Sequence, residues 1–398
     1  MHYAVPRILH QIGCLERLYT DTYIGNKPSL KQFLKVLPSW AQSRELSRLA
    51  GRDDSVIPGE KVTSFDVLGA RYALARRLAR GDTARIAAFE QFGQLFNRAV
   101  VGKGFGTADT VWGFNTASLG VFQAARAKGM TCVLEQTILP RCLEQQLLSE
   151  IAEECRDWQR DFRIGDGGLQ NLEQAEWELA NTIVVGSKFV ADGLEVCGVA
   201  PERIRVIPYG VDPARFRTLA EPSRVEGRPL RLLFVGEVGL RKGVPYLLKA
   251  LDHLPPGLVE AKLVGSITLD RHRLARYERS AKFIGPLPRT EMPDLFRWAD
   301  AFVLPSIVEG SATVTYEALL SGLPVITTPN SGSIVEDGVS GRVLPVRDWR
   351  ALADAIQAYA EDRDLLDRHR AGVLSSREAA TISRYAGDLE LLFQSPRL

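Results

Sequence analysis

Two glutamates eight residues apart, Glu309 and Glu317, are the side chains of this sequence best placed to do chemistry. An apolar run at 301–304 leads to them through a Pro305-Ser306 turn, and a helix is predicted to begin near Ser311. Residues that follow a buried strand lie where open α/β sheets bind ligands. Free N–H groups at a helix start favour an anion such as phosphate. Because Glu317 would lie roughly 9 Å further along the helix, the pair could hold the two ends of one extended ligand.

Each carboxylate also has a simpler interpretation, because glutamates in loops and on helices are usually solvated. The surroundings favour a site. Small residues follow Glu309, Gly322 is placed to end the helix, and the apolar run at 325–327 predicts the next buried strand.

A glycine-rich loop follows the strand predicted at 230–236. It contains Gly236, Gly239 and Gly243, with the adjacent cations Arg241 and Lys242. Glycines allow close approach of the backbone to a ligand, and Arg or Lys neutralises phosphate charge. The loop is neither a P-loop nor a G-x-G-x-x-G motif, and alone a surface turn explains it equally well. Together with the helix start near Ser311, it predicts a diphosphate site.

The composition is that of an ordinary two-domain globular protein. The 398 residues are 45% hydrophobic and 25% charged. A net charge of +2 predicts no nucleic-acid partner. Five cysteines without C-x-x-C spacing predict reduced thiols and a cytoplasmic location. Five scattered histidines predict no metal site, and no apolar run is long enough to predict a membrane span.

Alternating strand and helix patterns predict an α/β fold with parallel sheets covered on both faces. Strands are predicted at 110–114, 131–134, 182–185, 204–207, 230–236, 259–264, 282–284, 301–304, 325–327 and 342–344. Helices are predicted at 7–12, 118–128, 143–162, 244–251, 292–298, 349–359 and 376–393. The domains are expected to be 1–212, a linker at 213–229, a second domain at 230–375, and a C-terminal segment, 376–398, that packs on the first domain.

Residues 25–86 are locally basic. They carry twelve basic and six acidic side chains, a local charge of +6, with Phe33, Leu34, Leu37 and Trp40 interleaved. A solvated basic helix face is the simpler interpretation. Peripheral contact with an anionic membrane, at its cytoplasmic face, is the alternative.

The motifs jointly resemble those of the family-four retaining glycosyltransferases, the glycosyl transferases group 1 of GT-B fold. The resemblance covers roughly residues 104–393. The matching segments are Ala180-Asn181-Thr182-Ile183-Val184-Val185-Gly186-Ser187-Lys188-Phe189, Val206-Ile207-Pro208-Tyr209-Gly210-Val211-Asp212, the loop 236–243, the stretch 309–317, Asn330-Ser331-Gly332-Ser333 and Val335-Glu336-Asp337-Gly338-Val339-Ser340-Gly341.

This resemblance implies two Rossmann-like, doubly wound parallel-sheet domains that face across a cleft. It implies an enzyme that moves a hexose, with retention, from a UDP-, GDP- or ADP-linked sugar to a glycan or lipid-linked acceptor. No metal or other cofactor is expected, and the family points to polysaccharide biosynthesis of a bacterial type.

The resemblance also assigns roles to residues of the second domain. Glu317 would bind the ribose hydroxyls and Glu309 the donor sugar. Lys242, with Arg241, would balance charge on the leaving diphosphate. The donor-binding residues would be completed by the amides of Gly310, Ser311, Ala312 and Thr313, by Gly236, Glu237 and Gly239 of the first loop, and by Ser266, Gly285 and Leu287 around the base.

Three departures from the family pattern affect these assignments. Glu237 stands where relatives usually carry Arg, and Arg241 is the candidate replacement. Glu135 and Gln136 stand where many relatives carry His, so an acceptor-side role is expected there. Relatives open on a strand and a Gly-rich loop, whereas this sequence opens on a predicted helix. Either the first strand is absent, or the start codon is misplaced.

Two other functions stay open at this point. A nucleotide-sugar epimerase could use the same fold, since fold alone does not fix function. A non-catalytic nucleotide-sugar-binding or scaffold protein would be consistent with Glu237 and the unusual opening.

Overall fold

Parallel strands form three sheets in the described part of the chain. The computed structural model describes residues 3–29, 32, 49, 51–159, 168–216 and 227–394. The strands are β1 Leu18–Thr20, β2 Val62–Ser64, β3 Thr110–Phe114, β4 Thr131–Gln136, β5 Thr182–Val185, β6 Ile204–Val206, β7 Leu230–Val235, β8 Val259–Val264, β9 Ala281–Gly285, β10 Ala301–Leu304, β11 Val325–Thr327 and β12 Gly341–Val343.

Helices connect most of these strands. They are α1 Ala4–Gln11, α2 Asp66–Leu78, α3 Asp82–Lys103, α4 Leu119–Arg126, α5 Arg141–Glu154, α6 Gly168–Leu179, α7 Lys188–Val196, α8 Val244–His253, α9 Arg271–Ala275, α10 Met292–Trp298, α11 Thr313–Leu320, α12 Trp349–Glu361, α13 Arg363–Ser376 and α14 Ile382–Gln394.

The largest sheet has six strands in the order β12-β11-β10-β7-β8-β9, and all its pairs are parallel. Its central strands are apolar on both faces, as expected where helices cover a parallel sheet on both sides. All four residues of β10 are buried, for example. A four-stranded sheet has the order β3-β4-β5-β6, and β1 pairs with β2 in a separate two-stranded sheet.

Residue contacts divide the chain into two compact units. The first is Met1–Glu135, Gly165–Ile183 and Leu389–Leu398, and the second is Gln136–Ile164 and Val184–Asp388. Within the first unit, the ring of Phe393 lies 5.9 Å from that of Trp112. The predicted domain boundaries stay predictions, and most of the predicted linker lies outside the described residues.

The structure corrects two of the predicted helices. The helix expected at 143–162 ends at Glu154, and the turn that follows buries Trp158 against Tyr277, 5.4 Å between ring centres. The helix expected at 376–393 starts later, at Ile382, because extended backbone at Thr381 pairs with Val211 before the helix begins. Both differences arise from tertiary contacts that helical periodicity does not contain.

Two fully buried glutamates on α6, Glu173 and Glu176, hold the loop after β3. One carboxylate oxygen of Glu176 accepts hydrogen bonds from the N–H groups of Ser118 at 2.6 Å and Leu119 at 3.1 Å. These are free donors at the start of α4, so Glu176 caps that helix. Burial nevertheless raises the pKa of Glu176 to about 7, and those N–H groups only partly oppose the shift.

We expect the first unit to lose stability as the pH rises from about 5 to about 8. The pKa of Glu176 is higher in the folded than in the unfolded chain. The stabilisation is therefore complete below the unfolded pKa and is lost as the pH passes the folded one, by about 3 kcal/mol at most. Urea unfolding at a series of pH values checks this, with Glu176→Gln expected to flatten the profile. Glu178→Gln, an exposed neighbour on the same helix, should keep the wild-type slope.

Candidate active site

The strand order of the six-stranded sheet reverses between β7 and β10. From β7 the chain moves outward to β8 and β9, and it then returns to the other side of β7 to build β10, β11 and β12. In open α/β sheets, ligands bind outside the carboxyl ends of the strands at such a reversal. The loops that follow β7 and β10, residues 236–243 and 305–312, are therefore the expected place for a ligand.

The predicted site residues of this domain gather along that edge of the sheet. Gly236 follows β7, Ser266 follows β8, and Gly285 ends β9 with Leu287 just beyond. The first two of these loops approach closely, because the Val238 N–H donates to the Ser266 carbonyl oxygen at 2.8 Å. Four adjacent strands thus present predicted donor-binding residues to one side.

A buried ion pair joins the two loops at the reversal point. The Lys242 ammonium contacts a carboxylate oxygen of Glu309, and the Arg241 guanidinium lies 3.8 Å from the same oxygen. The side chains of Lys242 and Glu309 are only 11% and 9% exposed. Since buried charges need partners, each of these groups holds the other in a defined position. The structure therefore brings together the three residues predicted to be catalytic.

Small polar residues fix the loop that carries Glu309. The Ser187 hydroxyl donates to the Gly310 carbonyl oxygen, and the Asn330 side-chain amide donates to the Ile307 carbonyl oxygen at 2.7 Å. The Ser311 hydroxyl lies 2.7 Å from the Tyr316 hydroxyl and donates to a backbone carbonyl at 3.0 Å. These bonds tie the loop to the segments packed around it.

The amides at the start of α11 are only partly free for a ligand. Ala312 N–H donates to the Ser331 carbonyl oxygen at 3.0 Å, so this predicted ligand amide already has a partner. Among the residues that the structure describes, the N–H groups of Gly310, Ser311 and Thr313 have no hydrogen-bond acceptor. The predicted cradle for sugar and phosphate oxygens is thus reduced to these three donors.

Gly310 lies where no side chain fits. A Cβ atom there would lie 2.7 Å from the carbonyl carbon of Thr137 and closer still to its oxygen. We expect Gly310→Ala to lower the free energy of unfolding by about 3 kcal/mol, measured by urea denaturation. Gly387→Ala is the matched control, because a Cβ atom meets no neighbour there and alanine favours its helix. Equal stability of the two variants would contradict this packing.

Glu317 lies on α11 as a half-buried carboxylate. Among the described residues its side-chain carboxylate makes no hydrogen bond or ion pair, including none to Lys242 or Glu309. Burial raises the pKa of Glu317, and the positive charge of Arg289 partly opposes that shift. A carboxylate in this condition gains from accepting hydroxyl hydrogen bonds.

The residues that depart from the family pattern have distinct surroundings. Glu237 is exposed and lies beside Gly239, whereas the Arg241 guanidinium lies 3.8 Å from the Glu309 carboxylate. Glu135 is buried and accepts a hydrogen bond from the Trp112 indole at 3.1 Å. Gln136 is fully buried and donates to the Ile138 carbonyl oxygen. The acceptor-side role of Glu135 and Gln136 stays a prediction.

Sequence reasoning did not single out the side chains that support the site. The Ser306 hydroxyl lies 3.5 Å from the Glu309 carboxylate, and Thr328 donates to the Ser306 carbonyl oxygen at 2.6 Å. Ser187 and Asn330 lie inside matched motifs, but their partners are remote in sequence. The sequence signal that could have identified these supporting side chains is the presence of short polar residues directly after a buried strand.

The described part of the chain has neither a candidate metal cluster nor a candidate membrane span. No group of three His, Cys, Asp or Glu residues there is arranged to hold a metal ion. No helix there has the length and apolar character that crossing a bilayer requires. Phe33, Leu34, Leu37 and Trp40 of the basic segment lie outside the described residues.

Comparison with known proteins assigns the domain that contains this site. Residues 229–362 match the family model described as glycosyl transferases group 1. Over these residues the chain is similar to that family. The matched residues include both loops and the ion pair.

Curated relatives match over part of their length. Glycogen synthase of Mycobacterium tuberculosis is 34% identical over 178 residues, 42% of each chain. D-inositol 3-phosphate glycosyltransferase of Nocardia farcinica is 29% identical over 252 residues, 58% of this chain and 54% of its own. The chain therefore spans about half the length of these relatives or less.

Solved structures confirm the predicted GT-B fold class. HepE of Anabaena, in complex with UDP and glucose, has a TM-score of 0.60 and 16% identity over 96% of this chain and 99% of its own. Sucrose-phosphate synthase of Thermosynechococcus elongatus has a TM-score of 0.62 and 21% identity over 77% of this chain and 78% of its own. At these identities the likeness establishes the fold.

Proposed function

We propose that the protein is a retaining glycosyltransferase that moves a hexose from a nucleotide-diphosphate sugar to a glycan or lipid-linked acceptor. The observation that carries this proposal is the buried contact between Lys242 and Glu309 at the reversal point of the sheet. Membership of family four and a role in cytoplasmic polysaccharide biosynthesis belong to the same proposal.

The arrangement suits departure of a nucleoside diphosphate. When the bond between the anomeric carbon and the phosphate oxygen breaks, negative charge builds on that oxygen. The positive groups available to stabilise that charge are Lys242, Arg241 and the free N–H groups at the start of α11. Their positions are fixed before the reaction, and electrostatic stabilisation is most effective under that condition. We propose that these groups supply the charge without a metal ion.

Glu309 acts on the other side of the reacting bond. In the free protein its carboxylate neutralises Lys242. A bound diphosphate competes for the ammonium, which frees Glu309 to accept hydrogen bonds from the sugar hydroxyls. Retention follows when the acceptor hydroxyl attacks the face that the diphosphate leaves and passes its proton to the departing phosphate oxygen.

The donor class has support from the solved structures. Anabaena HepE, a structural neighbour over almost the whole chain, was solved with UDP and glucose. The residues of this chain do not identify the base, because the predicted base contacts at Gly285 and Ser266 are backbone contacts. UDP-, GDP- and ADP-linked hexoses are all candidates.

Glu317→Ala is expected to raise the donor KM about tenfold with a small change in kcat. The variant removes an acceptor for two ribose hydroxyls, and hydrogen bonds to a charged group contribute about 1.5–3 kcal/mol. Initial-rate kinetics with varied donor check this. Glu317→Gln should fall between wild type and alanine, and an unchanged KM in Glu317→Ala would remove the ribose assignment.

The direct test is incubation of the protein with UDP-, GDP- and ADP-hexoses, each with and without an oligosaccharide acceptor. We expect one donor to be consumed only when acceptor is present. Proton NMR of the product should show that the transferred sugar keeps the anomeric configuration it had in the donor. A new sugar formed without acceptor would instead identify an epimerase. Absence of turnover and of nucleotide binding would identify a scaffold protein.

We also propose peripheral contact with an anionic membrane, through α2. This helix exposes Val67, Leu74 and Leu78 beside the exposed basic residues Arg71 and Arg77, a combination typical of surface-bound helices. Sedimentation with vesicles tests it. Binding to vesicles with anionic lipid, and not to neutral ones, is expected, and equal partitioning onto both would contradict it.

A further inference from the structure

Two of the five cysteines lie in direct contact within the second compact unit. The Sγ atoms of Cys142 and Cys197 are 2.9 Å apart, although 55 positions separate the residues in sequence. Cys142 is in the first turn of α5, and Cys197 directly follows α7. A disulfide needs its two sulfur atoms about 2 Å apart, so a small movement of the side chains would allow the bond to form.

Close packing of the two helices places these cysteines together. A Cβ atom at Gly193 of α7 would lie 2.7 Å from a methyl carbon of Leu139 and 3.1 Å from the Cδ atom of Pro140. Both of those residues lead directly into α5. The Cys197 N–H donates to the Gly193 carbonyl oxygen at 3.1 Å, and residues four positions apart share a helix face. The close approach at Gly193 therefore brings Cys197 to Cys142.

The pair is more accessible and more reactive than the two buried cysteines. Cys142 and Cys197 are each half-buried, so a small oxidant can reach them. Burial raises the pKa of Cys132 to about 11 and also raises that of Cys155. Because the thiolate is the reactive form, those two side chains are poor nucleophiles. Cys142 and Cys197 thus combine access from solvent with a neighbouring thiol.

Helices α5 and α7 both begin at segments that border the loop 305–312. Thr137 and Ile138 precede α5, and their backbone atoms leave no room for a Cβ atom at Gly310. Ser187 precedes α7, and its hydroxyl donates to the Gly310 carbonyl oxygen. All of these residues belong to the second compact unit. A covalent link between the helices would therefore hold two of the segments that contact this loop.

We propose that Cys142 and Cys197 are a redox site, at which a disulfide forms and fixes α5, α7 and the segments that border Gly310. The oxidant is a small-molecule disulfide such as oxidised glutathione. The thiolate of one cysteine attacks a sulfur of the oxidant, which forms a mixed disulfide and releases one thiol. The thiolate of the other cysteine then attacks the protein sulfur of that mixed disulfide. This second step forms the bond between the cysteines and releases the second thiol, so the oxidant takes up the two electrons and two protons that the protein loses.

The contact between the thiols also determines which product forms. In the mixed disulfide, the second cysteine is held beside the sulfur that it must attack, and such proximity favours the intramolecular step. The exposed Cys14 differs, because its thiol contacts the Ile12 carbonyl oxygen at 3.7 Å. Cys14 should therefore keep a glutathione adduct, whereas Cys142 and Cys197 should not.

Treatment of the full chain with oxidised glutathione, followed by peptide mapping, tests the proposal. Digestion after glutamate separates Cys142 from Cys155, because Glu144 lies between them. We expect mass spectrometry without reduction to show the Cys142 and Cys197 peptides joined, and the Cys14 peptide carrying glutathione. Separate glutathione adducts on Cys142 and Cys197, or no modification of either, would overturn the proposal.

Stability and hydrogen exchange test what the bond does to the fold. Closing a loop of 55 residues should raise the Tm of the oxidised chain by about 5 °C or more. Deuterium uptake over residues 137–144 and 187–197 should slow about fivefold, because the link prevents local separation of the two helices. Dithiothreitol should return both values to those of the untreated chain. Oxidation that leaves both unchanged would overturn the proposal.

Three variants assign these effects to the pair. Cys142→Ser and Cys197→Ser should show neither the rise in Tm nor the slower exchange when oxidised glutathione is added. Cys14→Ser is the matched control and should respond as the wild type does. Equal responses of Cys142→Ser and the wild type would contradict the assignment. None of these measurements depends on sugar transfer, so their outcome is independent of the proposed function.

Discussion

Lys242→Ala is expected to lower kcat about 10²- to 10³-fold and to raise the donor KM by a smaller factor. Lys242 is the positive group fixed beside Glu309, and its proposed effect is larger on the transition state than on the bound donor. Removal of one group that stabilises charge in the transition state typically lowers the rate by this factor. Steady-state kinetics with saturating acceptor measure the effect, and circular dichroism checks that the variant is folded.

Lys282→Ala is the matched control for that variant. This lysine is 67% exposed and pairs with Glu260 on the surface, so its removal should leave kcat within about twofold. Lys242→Arg retains a cation and should lose less rate than alanine. Unchanged turnover of Lys242→Ala, in a protein that otherwise works, would remove Lys242 from the catalytic assignment.

Glu309→Gln is expected to lower kcat about 10²-fold and to make the protein more responsive to a nucleoside diphosphate. The amide keeps the shape of the carboxylate but leaves the buried Lys242 ammonium without its counter-charge. Breaking a buried pair destabilises the fold, and a diphosphate can then restore a partner for the cation. The Tm increase on adding the preferred nucleoside diphosphate should therefore exceed that of the wild type.

Glu278→Gln serves as the control for charge removal, since this glutamate is exposed. It should keep both the wild-type rate and the wild-type Tm response. If Glu309→Gln and wild type show the same nucleotide-induced shift, Lys242 does not exchange Glu309 for phosphate, and the proposed competition is wrong.

The elements of the second unit were predictable because their signals are local. Strand β10 and helix α10 have the bounds that the sequence predicts. The apolar run of β10, for example, is bounded by Asp300 and Pro305. Helix α5 was predicted too long. Its end depends on the burial of Trp158 against Tyr277, a contact between segments more than one hundred residues apart.

The site itself was predictable in composition but not in geometry. The sequence identifies Lys242 and Glu309 as members of two separate loops. Their contact depends on β10 lying next to β7, and strand order is not encoded in periodicity. The partner of the Ala312 amide was hidden for the same reason, because Ser331 belongs to the loop after the next strand.

Calorimetric titration with UDP, GDP and ADP, each beside its own nucleoside, tests the central claim most directly. If a diphosphate is held between Lys242 and the start of α11, one nucleoside diphosphate should bind at least about tenfold more tightly than its nucleoside. That advantage should disappear in Lys242→Ala. Binding of none of the three, or equal binding of diphosphate and nucleoside, would contradict the account.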